Sequence, residues 1–259
     1  KIKGTTNSFV AGKELHDLIA YYGYIKSGCK VDNKTTVPEF IINGDTKVKS
    51  EYLAGLFGAE GTKPMFPKDK GFLPKTITLS QHKSKECIDD LIDYIDTLVK
   101  LLNDVGITAY RNEPKLSVSG TYKCILSVEN NLENLIRFFE KVGYRYCNYK
   151  ENLSHETLQY LYYLDNLRRE RENLITKIKE YKKDHTYNEI SEHFNITLSE
   201  AKEYNLTTKG SFIRKGCLKF IDWRSLHVFN EDVYTLKTNT EYQGKQEVFN
   251  LTVDNSHTY

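Results

Sequence analysis

The chain has 259 residues, 39% of them hydrophobic and 28% charged, with only five prolines. That composition excludes a disordered or fibrous protein, and at roughly 150 residues per domain it leaves room for one large domain or two ordinary ones. The 37 basic and 35 acidic residues leave a formal net charge of +2, too near balance to mark a nucleic-acid binder by its total, so any basic surface must be local.

No apolar run reaches the roughly 18 to 20 residues of a membrane span. The opening Lys1-Ile2-Lys3-Gly4-Thr5-Thr6 has neither a methionine nor the apolar stretch of a signal peptide, so the sequence reads as a piece of a longer intracellular protein, cytoplasmic or nuclear. Five cysteines, Cys29, Cys87, Cys124, Cys147 and Cys217, are an odd number without a Cys-x-x-Cys pair. They read as reduced thiols that mostly fill core.

Glu14 to Tyr22 predicts an amphipathic helix with Leu15, Leu18 and Ile19 on one side, followed by a polar loop to Pro38. From Tyr52 to Gly61 a short apolar helix is expected, then a loop with Pro64, Pro67, Gly71 and Pro74, then an alternating strand over 76–80. Ile88, Leu91, Ile92, Ile95, Leu98, Val99 and Leu102 step by threes and ones along one face of a long helix that Gly106 stops. Residues 115–119 and 122–128 alternate on either side of Gly120-Thr121 and predict a hairpin. A further helix places Leu132, Leu135, Ile136, Phe139 and Val142 on one face before Gly143.

Beyond that the composition changes. Residues 156–183 turn from leucine- and tyrosine-rich to strongly charged and predict a long, exposed helix with a solvated face. Thr186 to Asn205 has the shape of a helix-turn-helix, open either to plain packing or to DNA contact. After Val228 helix signals end, and 233–236 and 247–253 read as strands of a different domain.

The chemically informative string is Leu53-Ala54-Gly55-Leu56-Phe57-Gly58-Ala59-Glu60-Gly61. Its small residues allow two helices to approach closely, while Leu53, Leu56 and Phe57 face a core. A single acid, Glu60, stands at the helix end. It reads either as a surface glutamate on an ordinary core helix or as a metal-binding carboxylate at a two-fold interface, with a second acid on the partner helix.

That nonamer resembles the LAGLIDADG motif of homing endonucleases, and the order of elements over 51–143 is similar to one αββαββα repeat of that family. Thr76 to Ser84 resembles the strand and loop leading into the middle helix of the repeat, and Phe138 to Cys147 resembles the repeat ending of viral intein endonucleases. Val37-Pro38-Glu39-Phe40-Ile41 is similar to the segment before the second motif of two-motif intein endonucleases. Glu247 to Tyr259 resembles the intein block ahead of the splice junction.

The resemblance implies an α+β fold. A LAGLIDADG repeat with a curved antiparallel sheet would span 46–150, after a lead-in over 1–45 that could end a preceding repeat. A helix-turn-helix-like DNA-binding segment would follow at 151–225, and C-terminal strands of a splicing (Hint) domain at 226–259. It implies an intein-encoded nuclease that hydrolyses double-stranded DNA with Mg²⁺ or Mn²⁺. Glu60 and the Ala59 carbonyl would hold the metal, and Gln81 would order water. The family's usual acid is Asp rather than Glu, and no basic residue stands near Glu129 and Asn130, leaving Lys123 as substitute. Lys75, Thr76, Thr78, Ser80, Lys115, Ser117, Ser119 and Tyr122 would contact DNA from the sheet.

In the splicing block His257 would assist C-terminal cleavage, with Asn250 where an aspartate is more usual. The chain shows neither the terminal His-Asn pair nor an N-terminal nucleophile, so it is not expected to splice alone. The second acid would come from a homodimer or from a missing N-terminal LAGLIDADG or intein half. Two other readings stay open: an inactive DNA-binding scaffold, and a C-terminal fragment of a split intein.

Overall fold

The computed structural model describes residues 30–67, 71–206 and 216–227. Helix α1, Thr46–Glu60, begins six residues before the apolar segment because Asp45 caps it, its carboxylate accepting from Val48 N at 2.8 Å. Its inward face buries Leu53, Ala54, Phe57 and Gly58. Helix α2, Ile88–Asp104, follows the expected stripe, with Leu91, Ile95, Leu98 and Leu102 fully buried, and Gly106 leaves it at φ +83°. Helix α3, Leu132–Lys141, is capped by Asn131, which accepts from Asn134 N at 2.9 Å. Buried Asn134 ties α3 to the chain at 108 and 129 by accepting from Thr108 N and donating to the Thr108 and Glu129 carbonyls.

The antiparallel sheet contains β1 (Thr78–Lys83), β2 (Ala109–Arg111), β3 (Lys115–Leu116) and β4 (Tyr122–Val128). Strand β4 is central, with β1 on one side and β2 and β3 on the other. The expected hairpin is present, and its turn is closed by Ser117 N to Thr121 O at 2.7 Å with Gly120 at φ +79°. Two expectations change. Among the described residues one strand rather than two precedes α2, and the three-residue β2, too short for a periodic signal, adds a strand after it. Phe57, Leu79, Ile95, Leu126 and Phe138 pack in one core between the sheet and α1, α2 and α3.

Helix α4, Asn148–Tyr181, crosses the expected boundary at 150/151 without a break. Its charges do form a solvated face, with Arg169, Glu170, Glu172, Lys177 and Glu180 exposed, but the opposite face is buried: Tyr160, Leu161 and Leu164 join the main core with Trp223 of α7 (Phe220–Leu226). Its far end carries a small second core in which Ile178 meets Ile190 of α5 (Tyr187–His193) and Ala201 of α6 (Leu198–Leu206). Buried Asp165 receives Arg168 and Arg169, and Arg168 also reaches Glu133 at 2.7 Å, which fastens α4 to α3. Of the four described cysteines Cys124 is buried and Cys217 packs, half-buried, against the main core, while Cys87 and Cys147 are half-buried outside it. The helix expected over 14–22 and the strands expected after 228, with Asn250 and His257, lie outside the described residues.

Two glycines of α1 separate a packing need from a merely small residue. A Cβ on Gly58 would fall 1.9 Å from the Arg145 carbonyl oxygen, whereas one on Gly55 would meet the Tyr146 ring at an ordinary 3.6 Å. Alanine favours a helix over glycine by about 1 kcal/mol, but the overlap at residue 58 outweighs this. Gly58→Ala is expected to lose about 1–3 kcal/mol, and Gly55→Ala to keep or gain stability, read from urea unfolding midpoints.

Candidate functional site

The acid-bearing end of α1 is built by four contacts. Gly61 leaves the helix in extended conformation, its N–H donating to the Phe57 carbonyl at 2.9 Å, and forms an isolated bridge with Leu79 of β1. Thr62 N donates to the Thr78 carbonyl, and Thr78 N donates to the Thr62 hydroxyl, both at 2.9 Å. The exposed Ala59 and Glu60 are thereby set beside the edge of β1 that faces away from β4. From the other side, the Lys150 ammonium donates to the carbonyls of Gly58 at 2.8 Å, Gly61 at 2.7 Å and Phe57 at 3.3 Å. A cation on these carbonyls neutralises the negative end of the helix at the point where a glutamate adds more negative charge. The buried Tyr144 hydroxyl donates to the Thr62 carbonyl at 2.6 Å, and burial holds its phenol far above the ordinary range, so it remains a donor.

Glu60 and the Ala59 carbonyl offer hard oxygen donors, the type Mg²⁺ takes. Among the described residues no group of three or more His, Cys, Asp or Glu is placed to hold a metal. One carboxylate and one carbonyl are within the range of protein donors that Mg²⁺ takes, since it commonly uses one or two carboxylates with waters and phosphates.

Register divides the sheet into two faces. Leu79, Gln81 and Lys83 of β1 lie opposite Leu126, Cys124 and Tyr122 of β4 and form the inner face. Thr78, Ser80 and His82 lie opposite Ser127, Ile125 and Lys123 and form the outer face, which Tyr110 and Lys115 extend on β2 and β3. Of the residues expected to contact DNA, Thr78, Ser80 and Lys115 stand on the outer face, as does Lys123. Ser117 and Ser119 stand in the turn beyond it, and Lys75 and Thr76 precede β1. Tyr122 takes an inner-face position, and so does Gln81, which is only 7% exposed.

Residues 47–143 match the LAGLIDADG-like domain. The chain is also similar to segments of much longer proteins. One is the tRNA-splicing ligase RtcB of Methanopyrus kandleri, 36% identical over 119 residues, which are 46% of this chain and 11% of that protein. The Replication factor C small subunit of Methanocaldococcus jannaschii is 26% identical over 194 residues, 74% of this chain and 9% of that protein. The DNA-directed RNA polymerase subunit Rpo1N of the same organism is 28% identical over 223 residues, 84% of this chain and 14% of that protein. The chain thus spans about a tenth of the length of these relatives. No solved structure matches it.

Around the LAGLIDADG-like domain the structure brings in residues that sequence reading missed. Lys150 lies some 90 positions from the carbonyls it holds, a separation no local pattern encodes. Lys83, 1% exposed, donates to the Asn33 carbonyl and to the Thr35 hydroxyl at 2.7 Å, clasping the lead-in to the sheet. His82 and Tyr110 gain their outer-face places only through pairing with β4.

The helix-turn-helix shape is present beyond the domain: α5 opens with a Thr186–Glu189 capping box, and Asn195 turns the chain at φ +50°. Its two helices carry Glu189, Glu192, Glu200 and Glu203 against Lys202, a composition ill suited to phosphate. The nearby Lys182 is spent on the Tyr187 ring, 4.8 Å from its centroid, and on the His185 carbonyl at 3.1 Å.

Removing the Lys150 ammonium leaves three part-buried carbonyls without that donor. Lys150→Met is expected to cost about 1–3 kcal/mol of unfolding free energy. It should also speed amide hydrogen exchange at Gly61 and Thr62 more than at the central strand β4. Uniform acceleration across the domain would show that Lys150 has no special role at the helix end.

Proposed function

We propose that this chain is a site-specific double-stranded DNA endonuclease of the homing type, encoded within an intein, that hydrolyses phosphodiester bonds with Mg²⁺ or Mn²⁺. The observation that carries the reading is the placing of Glu60: a single exposed acid at the end of the motif helix, on the edge of an antiparallel sheet whose outer face is polar and basic. Such a face suits base edges and phosphates, with hydroxyls from Thr78 and Ser80 and ammonium groups from Lys115 and Lys123.

A divalent ion, when bound, would supply an activated water and charge neutralisation at the phosphate. The chain's own contribution is to hold the Glu60 carboxylate and the Ala59 carbonyl at the sheet edge, with Lys123 as the proposed basic residue; Gln81, buried on the inner face, is not placed to order water at a phosphate on the outer one. The second acid would come from a second copy or from a separate N-terminal half. The relatives support an inserted element: a ligase, a replication factor and an RNA polymerase subunit, three different kinds of protein by their names, resemble this chain over only about a tenth of their length. In that setting Asn250 and His257 would assist splicing once the missing half is supplied.

The test uses DNA carrying an uninterrupted copy of the gene that the element occupies. Mg²⁺-dependent double-strand cutting is expected, and Glu60→Gln should lower its rate by at least about 100-fold while DNA binding in EDTA is kept. Cutting that survives Glu60→Gln would overturn the assignment of the acid. Metal-independent binding with no cutting under Mg²⁺ or Mn²⁺ by a chain supplied with its other half would instead identify an inactive DNA-binding scaffold.

A further inference from the structure

A groove of about 470 Å³ lies between the end of α4 and the end of α5, a volume within the range of sites that enclose small ligands. Its walls are aromatic. Tyr181 is stacked on His185, with ring centres 3.6 Å apart and planes 10° from parallel, and on His193 at 4.5 Å and 9°. Phe194 stands edge-on to both, 5.6 Å from Tyr181 and 4.8 Å from His193. His185 is fixed in this column by its Nδ1, 2.9 Å from the Tyr181 carbonyl oxygen, and Tyr181 and Phe194 pack on the small second core. His193 is exposed and lies outside that core, so the core does not account for its place in the column.

Charged groups line the same groove. Among the described residues the side chains of Lys177 and Asp184 have neither a hydrogen bond nor an ion pair, while Glu180 has Lys183 at 3.1 Å. Stacked rings take a flat ring as the next layer. A carboxylate only accepts hydrogen bonds, so beside such a ring it selects an edge that donates. Guanine is the base with two adjacent donors on its Watson–Crick edge, N1–H and the N2 amino group. Asp184 follows Lys177 by seven residues, close to two helical turns or about 10 Å. A nucleotide sets its phosphate about that far from the outer edge of its base.

We propose that this groove binds one guanine nucleotide: the base stacks on the Tyr181 and His193 rings, its Watson–Crick edge donates to the Asp184 carboxylate, and its phosphate meets the Lys177 ammonium. The proposal goes beyond the nuclease reading and stands whether or not the chain cuts DNA. It also gives the helix-turn-helix a ligand that its acidic helices allow, an unpaired base held by stacking in place of the phosphate rows of a duplex.

The experiment measures binding of the full chain, in EDTA, to two end-labelled pentanucleotides, one of thymine alone and one with a central guanine. Contacts from the sheet are common to both strands and cancel in the ratio. The guanine strand is expected to bind about 10-fold tighter. His193→Ala should weaken it about 10-fold, and Asp184→Asn should remove the preference over thymine. Lys177→Gln should lower the slope of log K against log salt by about 0.7. Asp184 is exposed, so its variant decides the matter should His193→Ala disturb folding.

Unlabelled dGMP, dAMP and tyrosine then serve as competitors. Displacement by dGMP identifies a free nucleotide as sufficient, and displacement by none of the three identifies the base of a strand as the ligand; either supports the site. Equal binding of the two strands overturns it, as does a guanine preference that survives Asp184→Asn. Displacement by dAMP as readily as by dGMP overturns it too. So does displacement by tyrosine, whose ring, ammonium and carboxylate match the same three groups.

Discussion

The close approach of α1 to the chain between Tyr144 and Tyr146 is the constraint on which the rest of the site depends. Arg145 N donates to the Ala54 carbonyl at 3.0 Å, and its own carbonyl sits against Gly58, where no side chain fits. That contact fills one side of the small-residue helix from within the chain, so part of the room expected for a partner helix is already used. Gly55 and Ala59 remain on the outward side, with the exposed Tyr146 ring, at φ +60°, beside Gly55. Because the segment 144–146 is itself anchored through Tyr144 to Thr62, the helix end, the acid and the edge of β1 are held as one unit.

Electrostatics at this site is local. A net charge of +2 conceals an acidic helix-turn-helix and a basic row on the sheet. Phosphate affinity depends on charges within roughly a Debye length of the DNA, about 8–10 Å. For the proposed DNA binding the sheet face would therefore matter far more than the sum over the chain. Lys150 belongs to the same logic at the helix end, where an ammonium offsets the carbonyl dipoles that would otherwise oppose a carboxylate.

Helix α4 joins two units that composition separates. Its leucine- and tyrosine-rich half completes the main core, and its charged half supports α5 and α6 through Ile178 and through Arg171, whose guanidinium lies 5.2 Å from the centre of the Tyr204 ring. Apolar side chains every three or four residues are buried while the charges project between them, so high charge density marks one solvated face and not a helix solvated all round.

Much of the fold was legible without coordinates. The stripes of α2 and α3, the hairpin around Gly120 and the two short helices after Thr186 are encoded in neighbours three or four residues apart or in a tight turn, and local spacing is what a sequence displays. The start of α1 was missed because Asp45 caps a polar first turn, and β2 because three residues carry no period. By itself the sequence determined the element types, the candidate acid and a pool of polar strand residues. Only the tertiary structure decided which of those share a face, that Gln81 and Tyr122 fall on the inner one, that Lys115, Lys123 and His82 align, and that Lys150 reaches the helix end. The physical reason is that strand register and contacts across some 90 residues arise from packing the whole core, and no local run of side chains contains them.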